Sequence, residues 1–219
     1  MHESQSQIFE NSEGNAWYAR NPKSNQITGN EQELDFIYST LDPFRDQLSS
    51  ILEIGCGGGA KLEALSKYFQ ASGFGIDPSA VAVKDAMERF SAAGSGLNFQ
   101  TGLATDLPYD DGQFDLVFFG FCLYLVPPRE IFRAVTEADR VLRNGGFLAI
   151  LDFDYGSLKV NPYKHASGVF SFKNNYSELF TSSNYYHLVS KWSFSHFSKS
   201  FVSDKDERVA IEVLFKEPM

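Results

Sequence analysis

Hydrophobic and polar positions repeat along this chain in a way that predicts alternating strands and helices. Five short apolar runs of strand length are bounded by turn-forming residues: 51–54, 72–77, 97–102, 114–120 and 147–153. Between them, apolar residues recur at helical spacing, most clearly in the segments 81–90 and 129–142. Strands that alternate with helices pair in parallel and are joined by right-handed crossovers. The chain up to residue 153 therefore predicts a mainly parallel sheet covered by helices.

The last third of the chain has a different pattern. Residues 186–195 and 208–216 are two further strand-like runs, and every second residue from Val209 to Phe215 is apolar. That alternation is typical of a strand with one buried face. We expect the two runs to form an antiparallel hairpin that closes the sheet.

A glycine-rich turn follows the first apolar run. The run stops at Gly55, Gly57 comes two residues later, and a helix-forming segment begins near Ala60. Glycine allows a sharp turn and a close approach of the backbone to a ligand, while the free N–H groups of the next helix face the same crevice. The turn therefore predicts a nucleotide site, the alternative being an ordinary glycine-rich turn.

A carboxylate ends the second predicted strand. Residues 72–77 finish in Asp77, and Pro78 and Ser79 open the next helix. A carboxylate at this place accepts both hydroxyls of an adenosine ribose. Enzymes that bind dinucleotides use the same layout, because Gly55, Gly57 and Ala60 also satisfy the pattern G-x-G-x-x-A. These two segments by themselves are compatible with either an adenosine-containing ligand or a dinucleotide.

Five ordered motifs carry a resemblance to a known family. They are Glu53 to Gly59, Gly75 to Ser79, Leu107-Pro108, Phe114 to Val117 and Leu142 to Leu148. Together they resemble the motifs of class I S-adenosylmethionine-dependent methyltransferases, over roughly residues 45 to 155, and five motifs in order are far more specific than one glycine turn. The resemblance implies an α/β fold: a Rossmann-like three-layer sandwich whose mainly parallel seven-stranded sheet is closed by a C-terminal antiparallel hairpin.

The resemblance also implies which residues bind S-adenosylmethionine and its product S-adenosylhomocysteine. Residues 55–59 would lie along the methionine part, Asp77 would hold the ribose, and the turn 103–105 would sit beside the adenine. Many relatives carry a carboxylate where this chain has Leu103, so either Asp106 replaces it or backbone or water meets the adenine amino group. The predicted core set is Glu53, Gly55, Cys56, Gly57, Asp77, Pro78, Leu103, Ala104, Gly120 and Phe121.

Composition favours a small-molecule enzyme. The chain has 219 residues, enough for one domain, and a net charge of −9 from 28 acidic and 19 basic residues, with no block of lysine or arginine. Nucleic-acid binding usually needs a basic surface, so we expect no nucleic-acid partner. The first seven residues lack an apolar core, and no stretch reaches the 18 or so apolar residues of a membrane span, which predicts a cytoplasmic protein without membrane contact.

Cysteine usage predicts neither a disulfide nor a metal site. Cys56 and Cys122 are the only cysteines, and they lack metal-ligand spacing. We interpret Cys56 as a small residue of the cofactor turn and Cys122 as packing near the crevice. The sequence gives no oligomeric state.

Two segments outside the motifs are predicted to cover the site. In the first, residues 8–30, Arg20 would pair with the methionine carboxylate and Tyr18 would hydrogen-bond to it. The alternative, compatible with this one, is that these aromatics fasten an N-terminal helix to the domain. In outline this segment and the second cover resemble methyltransferases of bacterial polysaccharide and secondary-metabolite pathways.

The second cover is the insertion 154–185. Its mixture of aromatic and polar residues is typical of a loop that folds over a ligand such as a sugar, a nucleotide-sugar or a cyclic natural product. A lid buried by its own aromatics has the same composition. The predicted organisation is a single domain, 1–219, made of an N-terminal cap (1–45), a cofactor-binding core (46–153), this acceptor lid (154–185) and a terminal hairpin (186–219).

These features predict methyl transfer to a small molecule, with a hydroxyl acceptor favoured. In-line transfer mainly requires positioning, and a hydroxyl can also need a general base. His165, Tyr124 and Asp152 are the candidate bases, because they follow strand ends or lie in the lid. Two other classes stay open: a nicotinamide-dependent oxidoreductase, and a non-catalytic relative that binds the cofactor without turnover.

Overall fold

A twisted sheet lies at the centre of the computed structural model, which describes residues 3–22, 31–90 and 95–218. Over those residues its strands are β1 (Ser50–Ile54), β2 (Ser72–Asp77), β3 (Leu97–Thr101), β4 (Phe114–Gly120), β5 (Leu142–Pro162), β6 (Phe170–Asn175), β7 (Tyr186–Ser195) and β8 (Arg208–Lys216). The order across the sheet is β3-β2-β1-β4-β5-β8-β7, and β6 pairs with β5. The first five strands of that order are parallel, and β8 and β7 are antiparallel. The predicted α/β fold with a closing hairpin is confirmed.

Helices and short turns connect these strands. The α-helices are α1 (Gln5–Ile8), α2 (Gly14–Arg20), α3 (Gln32–Leu41), α4 (Ala60–Phe69), α5 (Ala80–Phe90), α6 (Ile131–Val141) and α7 (Glu178–Thr181). A π-helical turn (Phe9–Glu13) joins α1 to α2, and two 3₁₀ helices cover Asp42–Gln47 and Leu123–Leu125. The helices predicted at 81–90 and 129–142 are present, with ends shifted by one or two residues.

Each face of the sheet packs against its own set of helices. On β4, which is buried along its whole length, Leu116 and Phe118 point into a core shared with α3, α4 and α5. The alternate residues Val117 and Phe119 point into a second core shared with α6 and α7. Successive strand side chains face opposite sides of a sheet, so one apolar strand serves both layers. The molecule is therefore a three-layer sandwich.

The predicted loop 154–185 is largely regular structure. Strand β5 continues to Pro162, beyond the predicted end at 153, and its extension forms a hairpin with β6, in which Val160 pairs with Phe172. The prediction of a loop was wrong because strand pairing satisfies the backbone groups of this insertion, and that pairing depends on a partner strand that local composition does not reveal.

Strand order places the crevice of the sheet between β1 and β4. The chain runs outward through β2 and β3 on one side of β1, and then returns to place β4 and β5 on the other side. Ligands of such sheets bind where the order reverses, at the carboxyl ends of the strands. Both the glycine turn after β1 and the segment after β4 therefore open onto one crevice.

Candidate active site

The turn between β1 and α4 is built on glycines with positive φ angles. Gly55, Gly57 and Gly59 have φ of 76°, 50° and 78°, which side-chain-bearing residues rarely adopt. The amides of Gly55 and Cys56 donate to the Ile76 carbonyl at 2.8 and 3.1 Å. The turn is thereby tied to β2 while Gly55 and Gly57 line the crevice.

Asp77 joins two loops of the crevice. Its Oδ2 accepts from the Gly57 amide at 2.9 Å, and its Oδ1 accepts from the Ser79 amide at 2.8 Å. Desolvation raises the pKa of Asp77 above its ordinary value, and the two backbone hydrogen bonds oppose the rise. One carboxylate therefore orders both the glycine turn and the start of α5.

The segment after β4 brings aromatic rings to the crevice. Phe121 has a φ of 71°, a strained conformation for a bulky residue and one that occurs preferentially at functional sites. Its ring lies 5.2 Å from that of Tyr124 and 5.4 Å from that of His196, measured between centroids. Phe121 thus connects the cofactor motifs to the rest of the crevice.

The crevice forms a cavity of about 440 Å³, within the range of small-molecule sites. It is lined by nine of the residues predicted to bind the cofactor: Gly55, Cys56, Gly57, Asp77, Pro78, Leu103, Ala104, Gly120 and Phe121. It is also lined by residues that the sequence did not single out as a site, which we call the C-terminal wall: Phe194, His196, Lys199 and Val209. Asp106 is exposed and does not line it.

The N-terminal segment covers the cavity, as predicted, but through other residues. Phe9, Gly14 and Trp17 line it. A Cβ on Gly14 would lie 2.7 Å from the Phe9 carbonyl and 3.2 Å from the Ser79 amide, so only glycine lets this segment pack so closely. Buried Gln5 fastens α1, donating to the Leu125 carbonyl at 2.7 Å.

Tyr18 and Arg20 face away from the cavity. The Tyr18 hydroxyl donates to Asp85 on α5 at 2.5 Å, and Arg20 forms an ion pair with Glu13 and a hydrogen bond to Tyr163. Neither residue therefore lines the cavity, because α2 turns them toward α5 and the hairpin. The structure agrees with the alternative in which they fasten the helix. The remainder of the predicted segment, residues 23–30, lies outside the described residues.

Glu53 lies behind the cavity and not in its lining. It is 1% exposed, and both carboxylate oxygens lack a hydrogen-bond partner among the described residues. A Cβ on Gly120 would lie 2.5 Å from Glu53 Oε1, so glycine is required there. Burial raises the pKa of Glu53 to about 8. This carboxyl group is therefore largely protonated at neutral pH.

Glu53→Gln is expected to flatten the pH dependence of stability. Between the ordinary pKa of 4.5 and about 8, the unfolded chain loses this proton while the folded chain keeps it, so wild-type stability falls as pH rises. The slope is up to about 1.4 kcal/mol per pH unit. In thermal unfolding of the apo protein, the stability of Glu53→Gln relative to wild type should increase from pH 5 to 8. The relative stability of the exposed control Glu10→Gln should stay constant over the same range. Parallel curves for wild type and Glu53→Gln would contradict the shift.

The environment of both cysteines disfavours the thiolate form. Burial raises the pKa of Cys56 and of Cys122 well above the ordinary thiol value, and the Cys122 thiol donates to the Ile54 carbonyl at 3.3 Å. Low thiolate content agrees with the packing roles predicted for them.

The three predicted base candidates occupy different places. Tyr124 lines the cavity, and burial raises its pKa far above 10. Asp152 is 2% exposed and outside the lining; it accepts from the amides of Phe153 and Tyr124 at 2.8 and 3.2 Å. His165 is exposed, packs edge-on against Tyr163 and does not reach the cavity, because the hairpin carries it outward.

The C-terminal wall lines the cavity, whereas the insertion 154–185 was predicted to do so. No described residue of that insertion lines the cavity. The insertion instead supports the N-terminal segment, since the Phe170 amide and carbonyl both bond to the Gln5 side chain. The lining of the cavity does not support an acceptor role for 154–185, and that role stays a prediction. Histidine and lysine three residues apart, directly after β7, were the signal available in the sequence.

Comparison with known proteins identifies the domain. The family described as "Methyltransferase domain" matches residues 51–146. Ajmaline N-methyltransferase of Rauvolfia serpentina is 35% identical over 104 residues, 47% of this chain and 35% of that protein. Fatty-acid O-methyltransferase of Mycolicibacterium smegmatis is 31% identical over 132 residues, 60% of this chain and 47% of that protein.

Solved structures agree on the fold. The Burkholderia thailandensis 1,6-didemethyltoxoflavin-N1-methyltransferase, solved with bound 1,6-didemethyltoxoflavin and S-adenosylhomocysteine, superposes with a TM-score of 0.71 at 14% identity, covering 96% of this chain and 88% of that one. The match of residues 51–146 to the methyltransferase family and the similar curated methyltransferases confirm the predicted family and cofactor over that part of the chain, and the superposition confirms the predicted fold class. The matches span 35% to 47% of the curated relatives' lengths.

Within the described ranges, no helix is both long and apolar enough to cross a membrane.

Proposed function

We propose that this protein transfers the methyl group of S-adenosylmethionine to a small-molecule acceptor, and that the acceptor atom is a hydroxyl oxygen. The observation that carries the proposal is the continuity of one cavity. It extends from Asp77 and the glycine turn, past Phe121, to the C-terminal wall. A donor site and an acceptor site that share one cavity have the arrangement that a direct transfer requires.

The cofactor motifs would hold S-adenosylmethionine. Asp77 suits the ribose hydroxyls, the amides of the glycine turn suit the methionine part, and Leu103-Ala104 suits the adenine. The bound cofactor supplies a methyl group on a positively charged sulfur. Phe9 and Trp17, in the N-terminal cover, keep water away from that region.

Positioning is the main contribution of the chain to the reaction. Holding an acceptor oxygen about 3 Å from the methyl carbon lowers the activation barrier by roughly 7 to 11 kcal/mol. The rings of Trp17, Phe121, Tyr124 and Phe194 line the cavity and provide flat apolar walls for this purpose. Such walls with a few polar groups suit a sugar, a nucleotide-sugar or a cyclic secondary metabolite.

Charge and size support a small acceptor. The net charge of −9 disfavours nucleic acid, and about 440 Å³ is too small for a macromolecular substrate to enter beyond a single side chain or base. The curated relatives named above are an N-methyltransferase of ajmaline and an O-methyltransferase of fatty acids. The acceptors in both of these names are small molecules, which supports the class of acceptor proposed here.

Calorimetric titration followed by a transfer screen tests the proposal. Purified protein is titrated with S-adenosylmethionine, S-adenosylhomocysteine and NAD, and is then incubated with S-adenosylmethionine and a panel of sugars, nucleotide-sugars and phenols. We expect binding of the first two ligands but not of NAD, and a methylated hydroxyl product. Binding without transfer to any acceptor would indicate a non-catalytic relative, and NAD binding would indicate an oxidoreductase.

A further inference from the structure

His196 stands where β7 ends and the chain turns over the mouth of the cavity. Its amide donates to the Glu207 carbonyl at 2.9 Å, and the hydroxyl of Ser195 accepts from the Phe197 amide at 3.1 Å. These bonds fix the backbone of the turn. The imidazole ring lies against Phe121, with ring centroids 5.4 Å apart and an angle of 32° between planes.

The imidazole nitrogens are available to a ligand. Within the ranges that the structure covers, the ring of His196 is held by aromatic contacts and has no hydrogen-bond partner from the protein, while its surface lines the cavity. Because the ring is exposed at the cavity mouth, a proton that it takes up inside can pass to water.

An ion pair stands beside this histidine. The Lys199 ammonium contacts Glu33 Oε2 at 2.9 Å and lies 4.8 Å from the centre of the Phe194 ring. Lys199 has a φ of 56°, in the left-handed region that side-chain-bearing residues adopt infrequently. Both members of the pair line the cavity, and Glu33 is 8% exposed.

The charges around His196 favour its neutral form. Desolvation, then Lys199 on the same turn and Lys173 on β6, lower its pKa below the ordinary 6.5, while Glu33 on α3 opposes them. Lys173 itself is paired with Asp206 at 3.8 Å. A histidine with a lowered pKa is unprotonated at neutral pH, which is the form that accepts a proton.

The other ionisable groups of the cavity are less suited to this task. The raised pKa of Tyr124 keeps its hydroxyl protonated. The carboxylate of Asp77 accepts hydrogen bonds from two backbone amides. The carboxylate of Glu33 forms an ion pair with Lys199. His196 combines a free nitrogen, a neutral state and a place in the C-terminal wall.

We propose that His196 accepts the proton of the acceptor hydroxyl during methyl transfer, and that Lys199 and Glu33 are positioning residues that set its protonation state. This rests on the proposed function. The hydroxyl oxygen forms a bond to the methyl carbon, the carbon–sulfur bond breaks, and its electron pair stays on sulfur to give S-adenosylhomocysteine. The hydroxyl proton moves to the free imidazole nitrogen, and the imidazolium then releases it to water.

Substitution of His196 tests the role directly. With an acceptor found in the screen above, His196→Ala should lower kcat by roughly a hundredfold to ten-thousandfold, the usual contribution of a general base. The affinity for S-adenosylhomocysteine should stay within about twofold of wild type, since the cofactor motifs are intact. His187→Ala, at an exposed histidine of β7, is the matched control and should retain wild-type turnover.

The pH profile separates proton transfer from a structural role. Wild-type kcat should rise with pH as His196 loses its proton, with a midpoint below 6.5. Lys199→Met removes a cation and should move that midpoint to higher pH, whereas Glu33→Gln removes an anion and should move it to lower pH. Lys199→Arg keeps the charge and should restore the wild-type midpoint.

Several results would overturn the role of His196. They are near-wild-type turnover in His196→Ala, or shifts of the same sign in Lys199→Met and Glu33→Gln. A protein that binds S-adenosylhomocysteine but methylates no hydroxyl in the panel would overturn the assignment of His196 as the proton acceptor. The assignment of the cofactor site would still hold. A protein that fails to bind S-adenosylhomocysteine at all would instead overturn the proposed function.

Discussion

Gly57→Val is expected to abolish binding of S-adenosylhomocysteine while the protein stays folded. At a φ of 50°, a β-branched residue is strained, and its side chain would occupy cavity space beside the Gly57 amide. We expect at least a hundredfold loss of affinity, which corresponds to about 2.7 kcal/mol. The backbone strain, of order 1 to 3 kcal/mol, is smaller than the stability of a typical domain.

Calorimetry with circular dichroism checks this result. Gly112→Val is the matched control, because Gly112 also has a positive φ, 63°, but lies in an exposed turn before β4, at the opposite end of the sheet. It should lose stability without losing affinity. Gly57→Ala provides a milder variant if the valine prevents folding. Undiminished affinity in both Gly57 variants would show that this turn does not contact the cofactor.

Asp77→Ala should weaken cofactor binding by at least about tenfold. Hydrogen bonds to a charged group contribute roughly 1.5 to 3 kcal/mol each, and in the proposed complex this carboxylate would accept from the ribose hydroxyls. The variant also frees the amides of Gly57 and Ser79, which loosens the turn that contacts the rest of the cofactor. The total loss should therefore exceed that of the ribose contacts alone.

Ligand fragments separate the two effects of Asp77. Affinities for S-adenosylhomocysteine, adenosine and adenine are compared in wild type, Asp77→Ala and the exposed control Asp110→Ala. The loss should be large for the two ribose-containing ligands and small for adenine. Equal losses of affinity for all three ligands would show that Asp77 only orders the turn. A change below about twofold for S-adenosylhomocysteine would show that Asp77 does not contact the ribose.

Local sequence signals predicted the core of this fold well. The strands at 51–54, 72–77 and 114–120 were recognised because an apolar run that ends in glycine or aspartate has few alternative structures. The cofactor turn was recognised for the same reason. Its positive φ angles require glycine at fixed spacing, so a short stretch of sequence is enough to recognise it.

The covers of the site were harder to predict because their structure depends on distant partners. Residues 154–162 continue β5 only because β6 pairs with them. Tyr18 and Arg20 were predicted to meet the cofactor, yet the rotation of α2 about its axis brings Tyr18 to Asp85 instead. A helix shows which residues share a face, and packing decides which face is buried.

The histidine of the cavity was missed for a related reason. His165 was favoured because its segment follows the carboxyl end of β5, but the hairpin carries it outward. His196 reaches the cavity because β8 inserts between β5 and β7, which sets the end of β7 beside Phe121. Strand order is a long-range property, and the spacing of residues along the chain does not encode it locally.

The sequence by itself determined the class of this protein: the parallel α/β core, the glycine turn and Asp77 follow from local propensity and backbone sterics. The tertiary structure decided which other residues line the cavity. There the N-terminal segment, α3 and the turn after β7 meet, and Glu33 and Lys199 are paired across 166 positions. Contacts between residues so far apart in sequence arise only when the whole sheet is assembled, since the free energy that orders them comes from packing.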